Sequence, residues 1–139
     1  MRLEPMYRIR FSYPEGWEVE LEGGWQQHFY LAEGRCEGGI RGRFRGANFP
    51  LRRTVEGSFL PAMHGVIETD DDATVLFECH GYGRAHPVGN RQIVGTVLHV
   101  SDHPRYRSST TRCACASAKC ARPRTHAPRV LSSCWTWPS

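Results

Sequence analysis

The region between residues 63 and 81 constrains the fold most strongly, because two β-rich runs there flank three consecutive aspartates. The runs cover residues 63–69 and 74–81, and Asp70, Asp71 and Asp72 separate them. β-Branched and aromatic side chains favour strands, whereas aspartate favours turns because its carboxylate can hydrogen-bond to the nearby backbone. The region therefore predicts an antiparallel β-hairpin.

Several other segments have the same short, strand-like pattern. Residues 7–13 alternate apolar or aromatic side chains with polar ones, which is the period of two of a half-buried strand. Glycine occurs five times between residues 34 and 46, a frequency that suits strands bent at barrel corners and opposes a long helix. No amphipathic stretch of helical period reaches a dozen residues. We therefore predict an all-β fold, a single antiparallel β-barrel, with further strands in "WEVELEG", "QHFYLAEGRCEG" and "RQIVGTVLHV".

Charge and cysteine content divide the chain after residue 107. Residues 1–107 hold 13 basic and 14 acidic side chains, whereas residues 108–139 hold five basic and no acidic ones. The net charge of +4 therefore comes from the C-terminal segment. That segment also holds four of the six cysteines and lacks hydrophobic periodicity, which is typical of a basic disordered tail. We predict a barrel domain over residues 1–107 and an irregular, poorly ordered tail over residues 108–139.

The tail has a second explanation, in the reading frame of the gene. Every basic side chain in residues 1–107 is arginine, which indicates a GC-rich gene in which a slipped frame is typically read as Ala, Arg, Pro, Ser, Cys and Trp. Shifted codons combine the last base of one codon with the first two of the next. With G or C at the bases that the printed residues leave free, they turn "CASAKCA" into Val-Arg-Glu-Arg-Glu-Val-Arg and "LSSCWTWPS" into a strand of the form Pro-Val-Val-Leu-Leu-Asp-Val-Ala-Glu. We therefore expect a frameshift near residue 108, with the tail cysteines as its by-products.

Three segments resemble the domain-of-unknown-function 3237 family: "LAEGRCEGGIRGRFRGANFP", "GVIETDDDATVLFECHGYGR" and "RQIVGTVLHVSDHPRYR". That family has a Gly-rich strand, an acidic hairpin ending in Asp-Gly and a late Tyr-Arg-Trp-Leu-Asn segment. Ala73 stands where the family more often has glycine. The resemblance covers residues 1–107 and implies a calycin-like small antiparallel β-barrel with a central cavity. It implies no catalytic residue, and the shifted reading of the tail restores the family's late segments.

Polar side chains of the hairpin are the candidate ligand-binding residues. Alternation along residues 74–80 puts Glu78 and His80 on one strand face and the apolar residues between them on the other. If the apolar face packs outward, the polar side chains project into the cavity, where a carboxylate beside an imidazole could perform acid–base chemistry. A solvated strand face explains them without any role. The candidates are His64, Glu68, Glu78, His80, Tyr82 and Arg84, the last two at the expected barrel mouth.

The cysteines and histidines do not have the spacing of a metal site. In "CACASAKC" one residue separates Cys113 from Cys115, whereas structural zinc sites space paired cysteines by two to four. His64, His80 and His86 lack a His-x-His spacing, so exposed histidines explain them better. The aspartate turn lacks the loop length and distributed oxygens of a calcium site. We expect no metal and no cofactor.

A barrel with polar groups among apolar and aromatic strand residues favours binding of a small apolar or mixed-polarity molecule. If catalytic, the protein would be a cofactor-independent isomerase, cyclase or lyase. The alternative is a non-catalytic structural or oligomerising module, a homo-oligomer.

The cysteines, the apolar runs and the charges also predict the cellular compartment and the binding partners. The first residues lack an apolar signal core, and Cys36 and Cys79 are isolated, which favours the cytoplasm and reduced thiols. No run of about 18 apolar residues occurs, so we expect no membrane partner. The charges of residues 1–107 balance, so we expect no nucleic-acid partner either. Nucleic-acid binding through the basic tail is a third alternative, and it predicts a steep salt dependence that vanishes when residues 108–139 are deleted.

Overall fold

The structure, a computed structural model, describes residues 4–53, 57–85, 90–107, 114–121 and 129–136. These residues form eleven strands and one short 3₁₀ helix, Glu22–Gly24. No helix among them has the length and apolar character needed to cross a membrane. The strands are β1 Glu4–Ser12, β2 Gly16–Glu20, β3 Trp25–Gly38, β4 Gly42–Asn48, β5 Leu51–Arg53, β6 Phe59–Leu60, β7 Ala62–Thr69, β8 Thr74–Ala85, β9 Asn90–Val100, β10 Ala114–Ala121 and β11 Arg129–Thr136.

Eight of these strands pair in a closed antiparallel ring. Its order is β1, β11, β10, β9, β8, β7, β4, β3 and back to β1. The short strands β2 and β5 pair with the first part of β3, and β6 pairs with β5 and with β8 at Gly83. The predicted all-β antiparallel barrel is therefore confirmed, and so is the hairpin, as β7 and β8 joined around Asp70–Asp72.

The barrel interior is filled by the alternate side chains of the ring strands. Tyr7, Ile9 and Phe11 of β1 point inward and are buried, as the period of two predicts. Rings from three strands meet in the centre, where Phe44 contacts both Phe11 and Phe77. Burial raises the pKa of two interior thiols, Cys36 to about 12 and Cys79 to about 11. The other buried members of this core are Ala32, Ile40, Met63, Ile67, Ala73, Val75, Val97 and Tyr106.

One end of the barrel is closed by turns, and we call it the hairpin rim. The turns between β3 and β4 and between β7 and β8 lie there, and Asp70 N donates to Arg41 O at 2.9 Å. Tyr106, which follows β9, is buried against the core and donates through Oη to the Asp71 carboxylate at 2.9 and 3.0 Å. Hydrogen bonds from Thr69 and Tyr106 lower the pKa of Asp71 to about 2. The hairpin rim is thus plugged by packed and hydrogen-bonded side chains.

Two strands lie in the segment that the sequence analysis set apart as an irregular tail. β10 pairs with β9 along residues 114–121, and β11 lies between β10 and β1. The sheet therefore extends beyond the domain boundary expected at residue 107. Main-chain ladders hold these strands, and such ladders do not require alternating apolar residues, so a search by periodicity missed them. The register shifts where β11 meets β1 and where it meets β10.

Candidate functional site

Three of the predicted site residues converge on the outer face of the hairpin, and we call His64, Glu78 and His80 the outer His–Glu cluster. His64 on β7 lies directly opposite Glu78 on β8, and His80 follows two residues later on the same face. His80 Nε2 lies 2.7 Å from Glu78 Oε1, and His64 Nε2 lies 3.7 Å from the same oxygen. The side chains of His64, Glu78 and His80 are 64%, 42% and 52% exposed. Pairing of neighbouring strands therefore assembles two imidazoles and one carboxylate at the surface.

The other predicted site residues lie apart from this cluster. Glu68 accepts a hydrogen bond from Arg45 Nη2 at 2.7 Å, an exposed ion pair across β7 and β4. Tyr82 and Arg84 continue along the outer face of β8 and are exposed. The predicted grouping thus holds for three residues, and His86 lies outside the described residues.

The orientation of the hairpin differs from the one that a cavity-lining role requires. Val75, Phe77 and Cys79 are buried in the interior, so the alternate polar side chains of β8 point to solvent. The closed ring of strands explains this orientation, because apolar side chains that point into its interior are removed from water on all sides. The predicted residues do not line the interior, and their role in ligand binding stays a prediction.

A second polar cluster does point inward, at the end of the barrel opposite the hairpin rim. This end, the tyrosine rim, lies where β1 and β4 end and β7 begins. Its aromatic members are stacked: the Tyr13 and Tyr30 rings are 4.7 Å apart with 18° between their planes, and the Tyr30 and His28 rings are 5.3 Å apart with 14°. We call His28, Tyr30, Tyr13 and Asn48 the rim cluster.

Hydrogen bonds connect the members of the rim cluster. Tyr30 Oη and His28 Nδ1 share a hydrogen bond of 2.9 Å, and Asn48 Nδ2 donates to Tyr13 Oη at 2.7 Å. Asn48 in turn accepts from the backbone N–H of Ala62 through Oδ1 at 3.1 Å, which fixes the direction of its amide. Glu18 Oε2 on β2 lies 3.5 Å from His28 Nδ1. His28 and Asn48 are buried, whereas Tyr13 and Tyr30 are half-buried, so the stack runs from the interior towards solvent.

Sequence reasoning missed this cluster although it recognised the strands that carry it. The alternation of "QHFYLAEGRC" could have revealed it, because His28 and Tyr30 share a strand face with Ala32 and Cys36, which are both small and buried. A strand face that combines small core residues with His and Tyr indicates polar groups inside a barrel. The contact of these residues with Tyr13 and Asn48 depends on which strands are neighbours, and the local sequence does not contain that information.

A further polar pair lies inside the barrel close to the hairpin rim. Tyr7 Oη and His99 Nε2 are 2.6 Å apart, and the His99 ring contacts Phe77 edge to face. Burial lowers the pKa of His99 from 6.5 to about 4, because the charged imidazolium would lose its hydration. The imidazole is therefore neutral at physiological pH. The plugged rim beside this pair separates it from solvent.

Comparison with known proteins supports the fold. No family model matches the chain, and no curated protein matches it significantly. Among solved structures, a β-barrel-like protein from Acinetobacter baumannii is 19% identical with a TM-score of 0.81, over 97% of this chain and 94% of that one. A conserved protein of unknown function from Rhodopseudomonas palustris is 22% identical with a TM-score of 0.78, over 98% of each chain.

A third similar structure is that of an enzyme from Penicillium herquei. It is 15% identical with a TM-score of 0.68, over 84% of this chain and 83% of that one. Identities this low show a common fold alone. The chain therefore has the fold of small β-barrel-like proteins, and its chemistry has to be argued from its own residues.

Proposed function

We propose that this protein binds a small, planar molecule of mixed polarity at the tyrosine rim. The observation that carries the proposal is the stack of Tyr13, Tyr30 and His28, whose rings offer flat apolar surface next to hydrogen-bonding groups. Binding sites for small molecules typically combine aromatic walls with a few fixed polar groups. The Asn48 amide, held by the Ala62 N–H, and the Tyr13 hydroxyl supply such groups here.

The same cluster could transfer a proton without a cofactor. The Tyr30 oxygen can take a proton from a bound molecule while its own hydroxyl proton passes to the His28 ring, and the same relay in reverse returns a proton to another atom of that molecule. Glu18 Oε2 lies 3.5 Å from His28 Nδ1, beside the ring that receives the proton. Isomerisation, cyclisation and elimination of a carbonyl compound all require such a paired removal and return of a proton. We therefore propose a cofactor-independent isomerase, cyclase or lyase as the catalytic form of this function.

A screen of planar carbonyl compounds by thermal denaturation tests the binding proposal, because a ligand that binds only the folded state raises its stability. We expect hits that bind Tyr30→Phe at least about tenfold more weakly than they bind the wild type, because this variant keeps the ring and removes the hydroxyl. Tyr82→Phe removes an exposed hydroxyl from the outer face, and it distinguishes binding at the tyrosine rim from binding by the predicted residues of β8. Equal affinity of the Tyr30→Phe and wild-type proteins for every hit would contradict binding at the tyrosine rim.

A second candidate function is that of an oligomerising module, and exposed apolar side chains favour it. Trp17 and Phe49 are 55% and 54% exposed, and Phe29 between them contacts both rings on the outer face. Exposed aromatic groups of this kind are typical of contact surfaces between proteins. Light scattering distinguishes the candidates: a stable homo-oligomer that Trp17→Ser and Phe49→Ser dissociate favours the module.

Membership of the domain-of-unknown-function 3237 family and a shifted frame after residue 107 are further proposals. They are supported by the three quoted segments and by the absence of acidic residues from positions 108–139. Sequencing the gene across the codons of Arg107 to Thr111, with an intact protein mass, tests the frame. The buried thiols Cys36 and Cys79 support a reducing compartment, and we propose the cytoplasm.

A further inference from the structure

The outer His–Glu cluster has the donor set of a metal site. His64, Glu78 and His80 each offer one ligand atom, and these atoms all lie within 4.8 Å of one another. The cluster takes no part in the rim chemistry, because it lies on the outer face of the barrel. Only the pairing of β7 with β8 brings the three side chains together, so the spacing of histidines along the chain does not reveal them.

Two of the three distances between these atoms are close to those that a bound ion imposes. Ligands about 2.1 Å from a tetrahedral ion lie about 3.4 Å from one another. The Glu78 oxygen is 2.7 Å from His80 Nε2 and 3.7 Å from His64 Nε2, values on either side of that separation. All three side chains are partly exposed, so rotation about their side-chain bonds can adjust the distances without moving the backbone.

The surroundings leave the cluster open to solvent and its carboxylate available to an ion. Arg45 on the neighbouring strand β4 is paired with Glu68, and the ion-pair partners of Glu78 among the described residues are the two histidines. Ala47 lies beside His64 and Ala62 beside His80 in the ladders, and both side chains are too short to cover the cluster. The longer Leu98, opposite Glu78 on β9, is itself 44% exposed. Positions for water or a small ligand would therefore remain free.

We propose that His64, Glu78 and His80 bind one divalent transition-metal ion on the outer face of the hairpin. Two imidazoles and a carboxylate suit ions of intermediate softness such as Zn²⁺, Fe²⁺ and Co²⁺, whereas Mg²⁺ and Ca²⁺ prefer oxygen ligands alone. One carboxylate with two neutral imidazoles leaves a divalent ion with a net positive charge, which attracts anionic or water ligands to the open positions.

Titration calorimetry with Zn²⁺ on the chelator-treated full-length protein tests this site. We expect one ion per chain, with affinity at least about tenfold lower in His64→Ala, His80→Ala and Glu78→Gln, since losing even an outer-shell partner of a metal ligand costs that much. Glu68→Gln removes a carboxylate from the same strand pair outside the cluster and is the matched control. His64, Glu68 and His80 are exposed and Glu78 is half-buried, and circular dichroism verifies the fold of each variant.

The tail cysteines are the competing zinc ligands, and Co²⁺ spectroscopy separates them from the cluster. Cobalt bound by thiolates has intense charge-transfer absorption in the near ultraviolet, whereas cobalt bound by histidine and carboxylate lacks it. Binding that persists in the three cluster variants, or that shows thiolate charge transfer, overturns the proposal. Absence of Zn²⁺ binding by the folded wild-type protein overturns it as well.

Discussion

At the scale of single residues, the buried imidazole of His99 makes the stability of this protein depend on pH. The pKa of His99 is about 4 in the folded chain, against an ordinary value of 6.5, because burial disfavours the charged ring. As pH falls below about 6.5 the unfolded chain takes up a proton that the folded chain refuses, so stability is lost until about pH 4. A tenfold change in proton affinity corresponds to about 1.4 kcal/mol, so the free energy of unfolding falls by about 3 kcal/mol over this pH range.

Urea denaturation at several pH values measures this loss. We expect His99→Phe, which retains an aromatic ring in the core, to lose less stability than the wild type between about pH 6.5 and pH 4. Carboxylates titrate near the lower end of this pH range in both proteins, so the difference between the two curves gives the contribution of His99 alone. Parallel curves would show that the imidazole is charged, or accessible to water, in the folded state.

At the scale of elements, paired glycines determine how closely β8 and β9 approach each other. Gly81 lies opposite Gly95 in the ladder, and a Cβ on Gly81 would lie 2.4 Å from the Val94 carbonyl oxygen. A Cβ on Gly95 would lie 2.2 Å from the carbonyl oxygen of His80. Both contacts are with backbone, which cannot rotate away, so the strands would have to separate.

We therefore expect Gly81→Ala and Gly95→Ala each to destabilise the fold by about 1–3 kcal/mol, the usual cost of an overpacked site. Thr96→Ala, at an exposed position on the same strand as Gly95, is the control and should change stability by less than about 0.5 kcal/mol. Chemical denaturation of the three variants measures the difference. Unchanged stability of both glycine variants would mean that the two strands can separate there without destabilising the fold.

Element-scale features were also those that the sequence predicted best. The β7–β8 hairpin followed from two strand-like runs and an aspartate turn, and the inward face of β1 followed from its alternation. The sequence did not predict which face of β8 points into the barrel, because alternation distinguishes two strand faces but does not determine which of them is enclosed. The structure brings His64 together with Glu78 and His80, and this grouping needs only the register of one hairpin.

At the scale of the whole molecule, closure of the ring depends on β10 and β11, which join β9 to β1. Deleting residues 108–139 would leave β9 without its β10 partner and β1 without its β11 partner. Unpaired edges and an uncovered interior promote association. We expect residues 1–107 alone to aggregate or to unfold without a cooperative transition, in contrast to the full chain.

Size-exclusion chromatography and thermal denaturation of the two proteins measure this contrast. A monomeric fragment with a cooperative transition would instead support the domain boundary predicted at residue 107.

The sequence by itself determined the strand-rich character of this protein, its acidic hairpin and the split in charge at residue 107, because each depends on residues that are neighbours along the chain. Only the tertiary structure decided which strand faces enclose the interior, and only it brought Tyr13, His28, Tyr30 and Asn48 together at one rim. The physical reason is that a barrel joins strands distant in sequence, and the resulting contacts depend on ring order and register rather than on local pattern.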